Sequence, residues 1–396
     1  YGLYRAMQRT AYELETLVFF LITLGIAVIS AYAPSSLFKQ LIAIALGIAL
    51  FLLLGTALRS LRLAQQLRWP VAAAAAALLA FNVLFGQRIF GAKNWISIGP
   101  LSLQPSELVK IAFILAGAAT LDRLFAKRNL IFTVLFSAYC VGCLALMSDF
   151  GTALVFFVAF LCIAFLRTGD LPSIVMMTAA AGFAGGLMLH FKPYIADRFT
   201  VWRHAWEFAQ STGYQQTRTM SAVASGGLFG AGPTDTWLKY VGAANTDLVF
   251  GVVSEEFGLL LALCAVAAII LIAVFAITSA ATARSSFYTI ASCAAAAMLT
   301  VQVTLNTLGS VDLLPLTGVT FPFVSMGGSS MLSCWSLMAF LKAADTRQNA
   351  SFALRLPKRR PKTKPEPPKA KPSNGFFDEI PDIPVDEIFG KEDKPE

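Results

Sequence analysis

Charged side chains are scarce in this sequence. Only 14% of its 396 residues are Asp, Glu, Lys or Arg, against about 25% in a typical soluble domain, and 57% are hydrophobic. A soluble enzyme, a nucleic-acid binder and a disordered chain are therefore poor fits, and the composition favours a polytopic membrane protein. In a membrane protein, the basic residues behind the formal net charge of +8 first indicate which side of the chain faces the cytoplasm, because Lys and Arg gather in cytoplasmic loops.

Motifs for metals and nucleotides are also missing. The chain has two histidines, no H-E-x-x-H, no P-loop and no dinucleotide fingerprint. We therefore expect no cofactor and no metal ligands, and nothing in the sequence indicates a divalent cation. The six cysteines all lie in apolar runs, which favours packing residues over disulfides.

Ten apolar stretches approach the roughly 20 residues that a spanning helix requires. They cover residues 17–33, 41–58, 69–85, 106–121, 131–147, 152–167, 173–190, 249–277, 286–308 and 329–343. We expect an all-α integral membrane protein of about ten transmembrane helices, with a large extracytoplasmic loop between helices 7 and 8. Residues 1–345 would form one membrane domain, and 346–396 a disordered cytoplasmic tail, Pro- and Lys-rich and then acidic.

The basic residues predict the orientation of this domain. An even number of spans puts both termini on one side, and the basic loops after even-numbered spans place that side in the cytoplasm. Two loops on the opposite side are also basic: one carries Lys93, and the large loop carries Arg198 and Arg203. Such charge suits an anionic ligand, for example a phosphate or pyrophosphate group. Contact with anionic lipid, or plain solvated charge, is the alternative.

Three carboxylates lie at the start of the eighth span, where an acid is costly and is a functional candidate by default. Asn245 or Thr246 can cap this helix, which predicts Asp247 in its first turn. The spacing places Asp247 and Glu255 on one broad face, and Glu256 away from it. An acid that only stabilises the helix dipole is the alternative for Asp247.

The fourth span contains a second pair of charges. Glu107 and Lys110 are three residues apart and can pair on one helix face. A buried Lys requires a carboxylate or phosphate partner, so the pair is either structural or part of a binding site. Between the fifth and sixth spans, residues 148–151 form a tight helical hairpin with the carboxylate of Asp149 at its tip.

Three other segments are predicted to differ from ordinary membrane-spanning helices and simple loops. The dense Pro and Gly of 314–330 predict a re-entrant loop that lines the outer cavity, with a surface connector as the alternative. The glycine-rich 225–232 predicts a flexible or tightly turned backbone. Trp202 and Trp206, four residues apart, predict the apolar stripe of an interfacial helix.

Four stretches between residues 91 and 330 follow the order of a known family. They are Gly91-Ala92-Lys93-Asn94-Trp95-Ile96 with Gln104-Pro105-Ser106-Glu107 and Lys110; Asp149-Phe150-Gly151-Thr152; Ser225-Gly226-Gly227 and Gly230 with Asn245-Thr246-Asp247, Glu255-Glu256 and Gly258; and Pro315, Gly318, Pro322-Phe323 and Ser325-Met326-Gly327-Gly328-Ser329-Ser330. On these motifs and ten spans, the chain resembles the SEDS family, the FtsW/RodA-type peptidoglycan glycosyltransferases.

The resemblance implies that the protein polymerises lipid II into glycan strands on the outer face of a bacterial cytoplasmic membrane, in elongation or division. It implies release of undecaprenyl pyrophosphate and a class B penicillin-binding transpeptidase as partner. Asp247 is the implied catalytic residue. Substrate-binding residues are expected in the motifs and outer basic loops: Glu107, Lys110, Lys93, Trp95, Ser325, Ser329, Arg198 and Arg203.

The sequence departs from the family pattern at three positions. It has Asn94 where an Arg usually precedes the Trp, Asn245 where a His often precedes Thr-Asp, and Met326 where a Tyr commonly precedes the glycine pair. Two other functions fit the features. A lipid flippase would use broken helices and buried charge without covalent chemistry, and a scaffold would only recruit the transpeptidase.

Overall fold

The computed structural model describes residues 11–89, 91–98, 101–121, 127–191, 193–232, 236–347, 350 and 352. Contacts divide the chain into two units, Tyr1–Leu354 and Arg355–Glu396, and all the described residues belong to the first. Most of the predicted tail, 346–396, therefore lies outside the described residues, and its boundary stays a prediction.

Helices make up most of the described chain. The first seven are α1 (Glu13–Tyr32), α2 (Leu37–Ala57), α3 (Leu61–Phe85), α4 (Pro105–Leu121), α5 (Lys127–Leu146), α6 (Phe150–Thr168) and α7 (Leu171–Phe191). The remainder are α8 (Pro193–Val201), α9 (Tyr214–Gly226), α10 (Val249–Phe257), α11 (Leu259–Ala281), α12 (Ser286–Ser310) and α13 (Gly328–Ala344). Each of the ten predicted spans corresponds to helix at its position, which confirms the helical membrane class.

Seven helical segments in the described part of the chain are long and apolar enough to cross a membrane, and Leu171–Gly186 is a shorter apolar helix. The predicted spans 106–121 and 329–343 form α4 and α13, which have 17 residues each. That is below the roughly 20 residues of a full span. The count of ten and the side on which the large loop lies therefore stay predictions.

The predicted single span 249–277 is wrong in one respect, because it is two helices. Gly258 separates α10 from α11 with a φ of 91°, a left-handed conformation that side chains other than glycine rarely adopt. Its main chain also lies against the backbone of Leu228 and Gly230 in the glycine-rich segment, where a Cβ would collide. The segment 225–232 is accordingly tightly turned. The sequence had predicted either a flexible or a tightly turned backbone there.

Helix α12 lies at the centre of the core and packs against α4, α6, α11 and α13. Several of its buried positions are small, among them Ala291, Ala294 and Ala295. Small residues allow close approach of helix backbones, which replaces the missing hydrophobic drive between helices in lipid. In the same way, Gly47 on α2 lies directly against the indole of Trp335 on α13.

A small sheet, which the all-α expectation did not include, precedes α4. Strands β1 (Gln87–Ile89), β2 (Ala92–Ile98) and β3 (Leu101–Leu103) form an antiparallel sheet in the order β1-β2-β3. Ile96 pairs with Leu103 and Gln87 with Trp95. The sheet leads the chain from α3 into the Pro-Ser-Glu start of α4.

The large loop contains α8, α9 and a 3-10 turn at Leu238–Tyr240. The predicted interfacial helix with Trp202 and Trp206 is wrong, because α8 ends at Val201 and both tryptophans follow in turns. Trp202 instead donates from its indole nitrogen to the carbonyl of Leu313 at 3.1 Å. That bond fixes the loop to the segment after α12.

Residues 311–327 are non-helical, and several of them are buried, including Val319, Phe321, Phe323 and Val324. This buried, irregular backbone agrees with the re-entrant interpretation and not with a surface connector. The segment packs on α1, where a Cβ on Gly25 would lie 2.6 Å from the carbonyl oxygen of Val324. It also approaches Asp247, as described below.

Candidate active site

Asp247 lies in a turn before α10, and not in the first turn of that helix as predicted. The cap position is Leu248, which makes no side-chain capping bond, and no acid occupies the first turn. Asp247 itself is half-buried, and its amide bonds to the carbonyl of Ala243 at 3.0 Å. The first-turn position that the dipole-stabilising alternative assumed is therefore wrong, since the carboxylate precedes the helix.

The re-entrant segment 314–327 comes up to this carboxylate. A Cβ placed on Gly318, whose φ is 73°, would lie 3.3 Å from Oδ2 of Asp247. Asn306 on α12 holds the two segments together, because its Nδ2 donates to the carbonyls of Asp247 at 2.9 Å and Val319 at 2.8 Å. The backbone around Asp247 is thus fixed from two sides.

Ser325 adds a second tie between the same segments. Its hydroxyl donates to the carbonyl of Thr246 at 2.6 Å and accepts from the amide of Phe321 at 2.8 Å. The amide of Met326 donates to the carbonyl of Asn245 at 2.9 Å. The structure therefore brings Ser325 to the site, where its bonds hold the backbone next to Asp247.

Electrostatics adjust the acidity of Asp247. Burial raises the pKa of its carboxyl to about 7, and the negative charge of Asp149 raises it further, while a hydrogen bond from Thr246 and the positive charge of Arg198 lower it. A carboxyl with a pKa near 7 can exchange a proton at neutral pH, which is the property that a general base requires. Asp149 and Arg198 both lie within electrostatic reach of Asp247.

Asp149, which the sequence places at a hairpin tip and in one of the four family motifs, was not among the predicted site residues. It caps α6 by accepting from the amide of Thr152 at 3.1 Å, and it also accepts from the side chains of Asn94 and Gln104. Burial raises the pKa of Asp149, and its hydrogen bonds with Thr152 and Asn94 and the charge of Lys110 oppose that rise. Asn94, the departure from the family pattern, is thus a direct partner of this carboxylate.

Asn94 also connects the carboxylate to α3 and α4. Its Nδ2 donates to Oγ of Ser106 at 2.9 Å, and its Oδ1 accepts from Nδ2 of Asn82 at 2.8 Å. All three side chains are buried. Buried polar networks of this kind define one arrangement, because every unmade bond inside them is costly.

Glu107 and Lys110 form the predicted pair on α4. Nζ of Lys110 lies 2.7 Å from Oε1 of Glu107, and their side chains are 1% and 4% exposed. The charge of Lys110 reaches Asp149, as the pKa of that acid shows. The pair is therefore a buried element behind Asp149, and its role toward substrate stays a prediction.

The other predicted binding residues lie at different places. Nζ of Lys93 donates to the carbonyls of Val83 and Leu84, at 2.7 and 3.0 Å, in the last turn of α3. Trp95 is half-buried on β2. Ser329 begins α13 and accepts from the amide of Gln104 at 3.4 Å. The structure thus places Ser329 beside the Asp149 network.

The two arginines of the large loop differ. Arg198 on α8 donates to the carbonyl of Leu316 at 2.6 Å. Its positive charge also lowers the pKa of Asp247. Arg203 is exposed, with a φ of 65° and its guanidinium 5.5 Å from the ring centre of Trp202. The structure brings Arg198 to the candidate site, whereas the contacts of Arg203 are with Trp202 and, through its amide, Asp312.

Beside Arg198 lies a cavity of about 330 Å³. It is formed by the start of α6, by α8 and Trp202, by the end of α12 and by the segment 314–317. Among the described residues, no cluster of His, Cys, Asp or Glu could hold a metal ion. What the geometry offers is a half-buried acid whose pKa the charge of Arg198 lowers, and an apolar cavity that the same guanidinium helps to line.

This fold defines a polytopic helical membrane protein, and its candidate site holds a half-buried acid, Asp247. The family profile of FtsW, RodA and SpoVE, described as "Cell cycle protein", matches residues 9–350. The chain therefore belongs to the FtsW/RodA/SpoVE family.

Similar proteins agree with this assignment. A probable peptidoglycan glycosyltransferase FtsW of Coxiella burnetii is 31% identical over 284 residues, 69% of this chain and 76% of the relative. A peptidoglycan glycosyltransferase RodA of Mycobacterium leprae is 28% identical over 333 residues, 79% of this chain and 70% of the relative.

Two solved structures have the same fold. A chain from a peptidoglycan synthase complex superimposes with a TM-score of 0.71 at 26% identity, covering 83% of this chain and 96% of that one. The rod shape determining protein RodA of Thermus thermophilus superimposes with a TM-score of 0.63 at 26% identity, covering 83% and 94%.

Proposed function

We propose that this protein is a peptidoglycan glycosyltransferase that polymerises lipid II into glycan strands, with Asp247 as the general base. Membership of the family supports the activity, because relatives of this chain are named peptidoglycan glycosyltransferases. The observation that carries the assignment of the base is the position of Asp247. It is half-buried in a backbone turn fixed by Asn306, with a pKa of about 7.

In this reaction the 4-hydroxyl of an acceptor sugar attacks the anomeric carbon of a lipid-linked donor. The hydroxyl proton passes to the carboxylate of Asp247 as the new glycosidic bond forms. The bond from the anomeric carbon to the pyrophosphate breaks, and undecaprenyl pyrophosphate leaves with the electron pair. A positioned general base contributes typically about 10²–10⁴-fold to such a rate.

The leaving pyrophosphate gains negative charge as this bond breaks, so a nearby cation stabilises the transition state. Arg198 is the guanidinium closest to this role, because its charge already acts on Asp247. Lys110, oriented by Glu107, adds positive charge behind Asp149. The other proposed substrate contacts rest only on the sequence motifs and the charge of the loops. They are Lys93, Trp95, Ser325, Ser329 and Arg203.

The proposed location is the bacterial cytoplasmic membrane, with both termini in the cytoplasm and the site on the outer face. The distribution of basic residues supports this orientation. The proposed partner is a class B penicillin-binding transpeptidase that crosslinks the new strands. The structural similarity to a chain of a peptidoglycan synthase complex that coordinates polymerization and crosslinking supports it.

The test is to incubate the purified full chain, in liposomes, with labelled lipid II. Glycan polymer is the expected product. A change in the sidedness of lipid II without polymer would instead support the flippase, and neither polymer nor transfer would support the scaffold. A purified transpeptidase partner should be included in a parallel reaction, so that an enzyme that requires activation is not mistaken for a scaffold.

A further inference from the structure

Glu255, near the end of α10, is a buried carboxylate to which the proposed reaction gives no role. It is 1% exposed. Its Oε1 accepts from the amide of Trp237 at 3.0 Å, and its Oε2 accepts from the amide of Leu238 at 3.2 Å. Oε2 also accepts from the hydroxyl of Tyr32, the last residue of α1, at 3.4 Å. One carboxylate therefore joins α10 both to the end of the large loop and to α1.

The two amide bonds of Glu255 close the stretch of chain that contains Asp247. Trp237 and Glu255 are 18 residues apart in the sequence, and Asp247 lies between them, just before α10. Closing a loop removes conformations that the open chain would have. The closure therefore restricts the whole stretch 237–255, and with it the backbone of Asp247.

Main-chain bonds continue from the closure to Asp247. The amide of Val241 donates to the carbonyl of Leu238 at 2.9 Å, and the amide of Asp247 donates to the carbonyl of Ala243 at 3.0 Å. Ala243 has a φ of 64°, a left-handed conformation that is uncommon outside glycine. Leu238 is fully buried, and a Cβ on Gly251 of α10 would lie 3.1 Å from its Cδ2. A displacement of Leu238 is therefore passed to the turn that holds Asp247.

We propose that Glu255 is a positioning residue for Asp247: its carboxylate holds the end of the large loop on α10 and so keeps the base in its half-buried turn. The inference rests on the proposed function, in which Asp247 accepts the proton. A carboxylate suits this task, because its two oxygens accept about four hydrogen bonds and three donors converge here. Amide hydrogen bonds to an ionised oxygen are also stronger than those to a neutral one.

The next residue, Glu256, provides a natural comparison. It is 3% exposed, and neither of its carboxylate oxygens has a hydrogen-bond partner among the described residues. A buried charge without partners is costly, so its replacement by Gln should be neutral or stabilising. The two acids are nearly equal in burial, and in the described part of the chain it is the side chain of Glu255, of the two, that bonds to the loop. A specific effect of the closure should therefore appear in variants of Glu255 alone.

The test measures lipid II polymerisation by the purified full chain with Glu255→Leu, Glu255→Gln or Glu256→Gln. Leu leaves the amides of Trp237 and Leu238 without their acceptor, whereas the carbonyl oxygen of Gln can still accept from them. We expect Glu255→Leu to lower kcat at least about tenfold with KM within about threefold, because a misplaced base weakens stabilisation of the transition state and not substrate binding. Glu255→Gln should recover most of this loss, and Glu256→Gln should have the wild-type kcat.

The pH profile separates positioning from a general loss of stability. Burial raises the pKa of Asp247, so a loosened turn that admits water should lower it. The acid limb of the kcat/KM profile should therefore move to lower pH in Glu255→Leu. Glu256→Gln removes an acid one residue away and should leave the profile in place, which excludes a simple effect of charge. An unmoved profile in a folded Glu255→Leu protein, a wild-type kcat in that protein, or equal losses in the Glu255 and Glu256 variants would each overturn the proposal.

Hydrogen exchange, measured on peptides that cover residues 237–248, tests the closure even if Glu255→Leu fails to fold. Exchange at Trp237 and Leu238 should be slow in the wild type and in Glu256→Gln, and faster in Glu255→Gln, whose neutral oxygen is a weaker acceptor. Fast exchange in the wild type would overturn the proposal. The result is separable from the proposed function. Near wild-type polymerisation by Asp247→Asn would reject the proposed base, whereas full activity of Glu255→Leu beside an inactive Asp247→Asn would reject the positioning alone.

Discussion

The side-chain amide of Asn306 donates a hydrogen bond of 2.9 Å to the main-chain carbonyl of Asp247. The same nitrogen donates to the carbonyl of Val319 at 2.8 Å, so one amide on α12 joins Asp247 to the re-entrant segment. Asn306 is 1% exposed, where a broken bond cannot be replaced by water. The position of Asp247 thus depends on a side chain that is buried in the helical core.

Substitution Asn306→Leu should separate the two segments. The carbonyls of Asp247 and Val319 would lose this donor, at about 1–3 kcal/mol for a buried group left unsatisfied. We expect a lower melting temperature and a fall of at least tenfold in kcat for lipid II polymerisation.

The matched control for this variant is Gln302→Leu. Gln302 lies one turn earlier on α12 and is fully buried, and neither atom of its amide has a hydrogen-bond partner among the described residues. Its replacement removes an uncompensated polar group, so stability should hold or rise. If both variants lose activity equally, a general disturbance of α12 and not the Asn306 bond explains the loss.

The pH dependence of polymerisation should report Asp247. A general base acts as its carboxylate, so kcat/KM should fall as the pH falls through about 7, the pKa that burial gives this group. Asp149→Asn removes a negative charge that raises this pKa, so its profile should move to lower pH. Arg198→Gln removes a positive charge that lowers the pKa, so its profile should move to higher pH.

The decisive result is that the pH profiles of these two variants move in opposite directions. Asn can still cap α6 at position 149, so the first variant should keep that helix intact. A flat profile between about pH 6 and 8, or displacements in the same direction, would contradict the electrostatic assignment of Asp247.

Helix positions could be predicted because long apolar runs are forced into lipid as helices. The predicted spans 152–167 and 286–308 differ from α6 and α12 by at most two residues at either end. The break at Gly258 could not be predicted in this way. The apolar run continues through it, and the φ of 91° follows from contact with the distant glycine-rich segment.

The candidate site was predicted in part for the same reason. Asp247 and the pair of Glu107 and Lys110 stand out as charges in apolar surroundings. Asn306 does not, since a single amide in a helix indicates nothing until its partners, 59 and 13 residues away in the chain, are known. The amine of Lys93 is a cation in a basic loop by sequence, but in the structure it caps the carbonyls of α3.

Contact between α6 and the re-entrant segment should also affect the rate. A Cβ at Gly151 would overlap Val319 and lie 2.8 Å from Cβ of Thr317, so Gly151→Ala must displace the segment beside Asp247. We expect a cost of about 1–3 kcal/mol and a clear loss of activity. Gly182→Ala on α7 is the control, because its Cβ would meet nothing within 4 Å, and it should be neutral or stabilising. An active Gly151→Ala with normal melting would contradict the close packing.

The pair of Glu107 and Lys110 can be tested by a double-mutant cycle. Lys110→Met leaves a buried carboxylate unpaired, which should cost about 3–5 kcal/mol, whereas Glu107→Gln combined with Lys110→Met should restore most of the melting temperature. We expect the double variant to polymerise lipid II at least tenfold more slowly, because the charge behind Asp149 is gone. A wild-type rate in the double variant would make the pair purely structural.

The most direct measurement is a single-turnover assay of Asp247→Asn with labelled lipid II, at saturating substrate and with folding checked by melting temperature. Asn keeps the shape of the side chain and cannot accept the proton. The proposed role of Asp247 predicts a loss of at least about 100-fold in the rate of glycosidic bond formation. A folded Asp247→Asn protein that forms polymer within a few-fold of the wild-type rate would contradict it.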